Sequence, residues 1–108
     1  MIADPARIDD LAVAVQADNV DRARFKSSDI PTSDALLRAL PEVRAPITVV
    51  FASRDAFVGT GFDERRRVLL TLRPDIDVRV LDGPGHWAIY EAPERANAMV
   101  LDALSVVP

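Results

Sequence analysis

Leu81-Asp82-Gly83-Pro84-Gly85-His86-Trp87 ends a short apolar run on a turn and delivers the only histidine of the chain. Gly83, Pro84 and Gly85 fit neither a regular strand nor a regular helix, so the backbone has to turn there. The residues before them, Asp77-Val78-Arg79-Val80-Leu81, alternate polar and apolar as a strand does. A histidine on a turn at a strand end is exposed, changes charge near neutral pH and can pass a proton either way. Taken alone, such a histidine reads as a surface or packing residue. A second stretch upstream changes that reading.

Pro46-Ile47-Thr48-Val49-Val50-Phe51-Ala52 is apolar and rich in β-branched residues, as expected of a strand covered on both faces. Ser53-Arg54-Asp55-Ala56-Phe57-Val58 follows, which places Asp55 just beyond the strand end. Between the two strands, Phe62 to Arg73 reads as a helix with Val68, Leu69 and Leu72 as its packing residues. The order strand, helix, strand predicts parallel neighbours joined by a right-handed crossover. The C-terminal ends of both strands then point the same way, about 5 Å apart. Asp55 and His86 should emerge side by side, and an aspartate beside a histidine is two thirds of a charge-relay triad.

Composition bounds the rest. A chain of 108 residues makes at most one small domain, and its 49% hydrophobic content is enough for a core. A net charge of −4 and a pI near 4.8 argue against nucleic acid and acidic membrane surfaces as partners. With no cysteine, disulfides, thiolate metal sites and thiol catalysis are excluded. One histidine falls short of the imidazoles or thiolates that transition-metal sites gather, so no metal and no cofactor is expected. The N-terminus has no signal-peptide pattern and no apolar run reaches membrane-spanning length. A cytoplasmic protein is the expectation.

Along the chain, Asp4-Pro5 marks a helix start, with Asp4 as cap and Pro5 at the first helical position. Ile8, Leu11, Ala12 and Val15 form one apolar stripe, and the helix is expected to end near Asp18-Asn19. Asp21 to Ser28 reads as a short helix or a surface loop anchored by Phe25. Pro31-Thr32-Ser33 opens a further helix, capped by Thr32 or Ser33, with Leu36, Leu37 and Leu40 buried and Pro41 as its stop. Gly59-Thr60-Gly61 is a flexible turn that lacks the lysine of a phosphate-binding loop. The arginine run Arg65-Arg66-Arg67 reads as a solvated face. A last helix begins at Pro93 and turns Ala96, Val100, Ala103 and Leu104 inward, with Met99 and Val107 adjoining.

These loops carry a resemblance. Ala52-Ser53-Arg54-Asp55-Ala56-Phe57-Val58 resembles the acid loop after the seventh strand of α/β-hydrolases, Gly-x-x-Asp-x-x-Val, with Ala52 in place of the first glycine. Gly83-Pro84-Gly85-His86-Trp87, with Glu91 and Pro93, resembles the histidine loop and the start of the last helix of that family. The likeness runs from about Leu40 to the C-terminus. Residues 1–41 are similar, less specifically, to the helical cap, and residues 42–108 to the C-terminal part of the core. The resemblance implies that Asp55 accepts the Nδ1 proton of His86 and that His86 acts as general base. It has Trp87 pack beside the site or line the substrate pocket, and it leaves Glu91 and Arg54 structural.

The family's nucleophile stands in Gly-x-Ser-x-Gly at a strand-to-helix elbow. Ser27, Ser28, Ser33, Ser53 and Ser105 all lack that glycine setting, and the fold needs more parallel strands than this chain holds. The expected identity is the C-terminal part of an α/β-hydrolase acting on a small molecule by ester or carbon–carbon bond hydrolysis. Its partner would be the missing N-terminal part. The alternative is a stand-alone, non-catalytic module that binds or dimerises through an open apolar sheet edge.

Overall fold

Two five-residue strands, β1 (Thr48–Ala52) and β2 (Asp77–Leu81), lie side by side and parallel, from Thr48 opposite Asp77 to Ala52 opposite Leu81. They are the centre of a computed structural model that describes residues 1–25 and 33–105. The remaining elements are α1 (Asp10–Arg22), α2 (Ala35–Ala39), α3 (Phe62–Leu72), α4 (Ala88–Glu91) and α5 (Pro93–Ser105). The architecture is α/β, and α3 is the crossover between the parallel strands, as the order of apolar runs predicts. The β2 bounds agree with the sequence reading. β1 begins at Thr48 rather than Pro46, although the Ile47 carbonyl still accepts from the Asp77 N–H at 3.0 Å.

Paired residues in a parallel ladder share a face, so Val49, Phe51, Val78 and Val80 lie on one side of the sheet. α3 covers this side, with Phe62 meeting Phe51 edge-to-face at 5.3 Å. On the other side Leu81 packs with Ala92 and Ala96, flanked by Ala88 and Met99. Arg79 ties α5 down through Asp102 at 2.7 Å. β1 is not covered on both faces as predicted, because Val50 remains 42% exposed. A two-stranded sheet has no inner strand; each strand is flanked on one side only. The fully apolar composition of β1 is therefore not matched by burial within this chain.

The N-terminal region departs from expectation in a way that its aspartates explain. Asp4 does cap a turn, accepting from the Ala6 N–H at 3.0 Å, but only the 3-10 turn Pro5–Arg7 follows. α1 starts five residues later because Asp9 also caps, accepting from the Ala12 N–H at 2.9 Å. Two capping residues in succession give two helical starts. α1 then continues past Asp18-Asn19 to Arg22, whose guanidinium pairs with Asp18 at 2.7 Å. Of the predicted stripe only Ala12 is buried, while Ile8, Leu11 and Val15 are exposed. Phe25, read as an anchor, is exposed as well.

Lys26 to Thr32, including the proposed cap Thr32, lie outside the described residues, as does Val107; the other proposed cap, Ser33, accepts through Oγ from the Ala35 N–H at 3.4 Å. α2 is shorter than expected, and Leu36 and Leu37 are exposed where burial was predicted. Leu40 is buried. Pro41 does not stop the chain's helical path but sits inside a 3-10 turn, Leu40–Glu42, where its missing N–H costs nothing. Arg65, Arg66 and Arg67 are exposed, as read. α5 begins at Pro93, but only Ala96 of its stripe is buried and Val100 and Leu104 face solvent. No helix among the described residues is long and apolar enough to cross a membrane.

Candidate functional site

The turn after β1 is wound around Asp55. Its N–H donates to the Ala52 carbonyl at 3.2 Å, and its own carbonyl accepts from Val58 and Gly59. Its Oδ1 accepts from the Phe57 N–H at 2.8 Å, which fixes the side chain against its own loop. The other oxygen, Oδ2, is thereby aimed at the neighbouring strand end. There it meets His86 Nδ1 at 2.9 Å. The two residues that the sequence reading singled out are in direct contact.

Asp55 is the more enclosed partner, its side chain 13% exposed against 44% for His86. Burial pushes the Asp55 carboxyl up, but the hydrogen bond from His86, the Phe57 N–H and the histidine's charge outweigh it. The net result is an acid stronger than an ordinary aspartate. An ionised carboxylate only accepts, so the Nδ1 of His86 must carry the proton. Nε2 is then left with a lone pair in the neutral ring. The Phe57 ring stands edge-on to the imidazole at 4.7 Å.

What brings the two loops into register is a set of contacts that the sequence reading did not find. Ser53 donates through Oγ to Asp82 at 2.8 Å and accepts from the Gly83 N–H at 2.8 Å. The backbone pairing continues past the strands, with Ser53 N–H to the Leu81 carbonyl at 3.0 Å and Arg54 N–H to the Pro84 carbonyl at 3.1 Å. Gly83 has φ +103°, a conformation that side chains rarely adopt, and this turns the chain sharply after β2. A serine directly after a strand and an aspartate before a glycine turn are the only signals of this bridge in the sequence. Both are common enough to carry no weight until the strands are paired.

Glu91 is 6% exposed, a buried carboxylate. It accepts from the N–H groups of Ala3 at 2.9 Å, Asp4 at 3.0 Å and Gly85 at 2.6 Å. Arg54 donates to the Ala3 carbonyl at 3.3 Å. The Tyr90 hydroxyl donates to Asp9, joining α4 to the start of α1 and holding the Asp9 carboxyl below the usual range. Trp87 stands edge-on to Tyr90 at 5.8 Å. It also lines two grooves. One, of about 530 Å³, runs along α1 past Ile8, Val13 and Val20; the other, of about 360 Å³, contains His86 together with Val50, Leu81 and Val100.

No group of three or more histidine, cysteine, aspartate or glutamate residues is placed to hold a metal ion among the described residues. The Ser53 hydroxyl is committed to the loop bridge, and that of Ser105 donates to the Asp102 carbonyl at 2.7 Å.

Among curated proteins the chain is similar to a 2-hydroxy-6-oxononadienedioate/2-hydroxy-6-oxononatrienedioate hydrolase of Burkholderia vietnamiensis (strain G4 / LMG 22486). The identity is 38% over 65 residues, 60% of this chain and 22% of that protein. A second hydrolase of the same description, from Pseudomonas putida, is 37% identical over 65 residues, again 60% of this chain and 22% of the relative. The match thus spans about a fifth of each relative's length. No protein-family model matches the chain, and no solved structure matches it significantly. Both relatives are hydrolases of the α/β-hydrolase fold, so the resemblance carried by the two loops is borne out, as is the α/β class.

Proposed function

We propose that this chain is the C-terminal part of an α/β-hydrolase and supplies the acid and the base of its Ser-His-Asp machinery, Asp55 and His86, with the nucleophile contributed by sequence outside these 108 residues. The observation that carries the reading is the 2.9 Å contact between Asp55 Oδ2 and His86 Nδ1 at the adjacent C-terminal ends of two parallel strands. In open α/β sheets that end is where reacting groups gather. Asp55 holds the tautomer in which Nε2 is free to take a proton from an attacking hydroxyl. It then stabilises the imidazolium that results. His86 returns that proton to the leaving group.

The groove that holds His86 is bordered by Val50 of β1 and Val100 of α5, beside the uncovered side of the strand. A neighbouring strand ending in a nucleophile elbow would lie along that side. The reaction is hydrolysis of an ester or a carbon–carbon bond in a small molecule, and the names of the two relatives favour a 2-hydroxy-6-oxo dienedioate or trienedioate. Residues 1–41 would belong to the cap and 42–108 to the core.

A serine-directed fluorophosphonate probe tests this. The isolated chain should not be labelled; joined to the sequence encoded upstream of Met1, the product should be labelled on a serine and lose labelling when His86 is replaced. A stop codon directly upstream, with no Gly-x-Ser-x-Gly frame before it, would defeat the proposal. It would leave the reading as a non-catalytic dimerisation module, which the exposed Val50 on the open strand also fits.

A further inference from the structure

Glu91 stands five residues beyond His86, on the short helix that follows the histidine loop, and nothing in the dyad geometry requires a buried carboxylate there. Its three backbone donors come from two distant parts of the chain. Gly85 directly precedes His86, and Ala3 and Asp4 belong to the N-terminal segment. That segment also reaches the other flank of the histidine, because the Trp87 N–H donates to the Met1 carbonyl at 3.3 Å. It touches the acid loop through the Arg54 guanidinium on the Ala3 carbonyl. A Cβ on Gly85 would stand 2.6 Å from the Met1 carbonyl oxygen and 2.8 Å from the Ala3 nitrogen, so the segment lies directly against the loop. The N–H groups on both sides of His86 are therefore held, one by Glu91 and one by a segment that Glu91 itself holds.

We infer that Glu91 is a positioning residue for His86: by binding Gly85 and the Met1–Asp4 segment together it fixes the backbone from which the imidazole reaches Asp55. The inference rests on the reading of Asp55 and His86 as acid and base, and deepens it. Removing the carboxylate leaves three N–H groups without their acceptor, and the only one of them in the loop is adjacent to the histidine. The imidazole should then lose its fixed distance to Asp55 while the strands and α5, which Glu91 does not bond, keep theirs.

His86 is the only histidine in the chain, so its ring nitrogens give unambiguous signals in ¹⁵N-resolved NMR of the full 108-residue protein. The wild type should show one protonated Nδ1, its proton shifted far downfield and slow to exchange, and Asp55→Asn should abolish that signature. In Glu91→Ala the Nδ1 proton should exchange at least about tenfold faster, or vanish, with the β1 and β2 amides still protected. Glu91→Gln has the same shape but one acceptor oxygen, so it can hold Gly85 or the N-terminal segment, not both. Its exchange rate should fall between wild type and alanine. An unchanged His86 signature in both Glu91 variants overturns the inference and leaves Glu91 as a packing residue. If Glu91→Ala does not fold, Glu91→Gln alone decides, an unchanged rate again overturning the inference. A wild type without the Nδ1 signature defeats the acid–base reading itself, a different result from failure of the Glu91 variants.

Discussion

Asp55 and His86 were readable as residues because each sits where a strand has to end, one before a turn and one after Gly-Pro-Gly. Their contact follows from the pairing of two strands, which apolar patterning predicts well. Replacement of His86 by alanine should abolish turnover in the assembled enzyme, and Asp55→Asn should lower kcat by roughly 10⁴-fold by favouring the wrong tautomer. Near-normal steady-state rates in either variant would reject the assignment. The lowered Asp55 pKa also makes a stability prediction. An acid stronger in the folded than in the unfolded chain stabilises the fold above its ordinary value of 3.8, and that contribution drains away as the pH falls through the lower folded value. Urea midpoints of wild type and Asp55→Asn should differ near neutrality and converge as the pH falls below the ordinary aspartate value. A gap that does not change with pH counts against a carboxylate bound to His86 in the folded chain. Ser53 and Glu91 could not be read this way, since each acts on backbone groups that only the folded loops bring near.

Elements were legible in proportion to how much of their environment lies within the chain. β2 and α3 agree with the sequence reading almost to the residue, because the strand and helix that cover them are both present. α1 and α2 do not, since Asp4 and Asp9 cap two successive starts and Leu36 and Leu37 of α2 stay exposed. The loop joining β2 to α4 depends on one close approach, between Gly85 and the Met1–Ala3 backbone. Gly85→Ala puts a methyl group 2.6 Å from a backbone carbonyl oxygen, where no flexible side chain can yield. The N-terminal segment or the loop has to move, at about 1–3 kcal/mol. Chemical denaturation should register that loss, together with a weakened Asp55–His86 contact. A variant as stable as wild type would mean that the segment is not seated on the loop in solution.

At the scale of the whole molecule, the surface is too large for a chain of this mass. A folded monomer of 11.8 kDa should expose about 5,900 Å², and this one exposes 8244 Å². The radius of gyration agrees, at 15.7 Å where a compact domain of this length has about 13 Å. The excess is apolar in part: Val50, Ile89, Val100, Leu101 and Leu104 are all exposed. Among the described residues the edge of β1 is open too. The Ile47 carbonyl and the Ser53 N–H both point to β2, so by alternation the backbone groups of Thr48 and Val50 point away from it. An unpaired apolar edge beside uncovered valines is a surface that pairs with something. In the proposed enzyme that something is the preceding strand of the core, which explains why the sequence calls for two covered faces and the chain alone supplies only part of them. The isolated chain should therefore bind a hydrophobic dye and self-associate as its concentration rises through the micromolar range, by sedimentation velocity. Val50→Lys should reduce both, because a charge at the centre of the open edge opposes strand addition. The same substitution should block assembly with the missing part. A wild type that sediments as a dye-free monomer at all concentrations would mean that this surface is not awaiting a partner, and the case for a nucleophile arriving along β1 would fall with it.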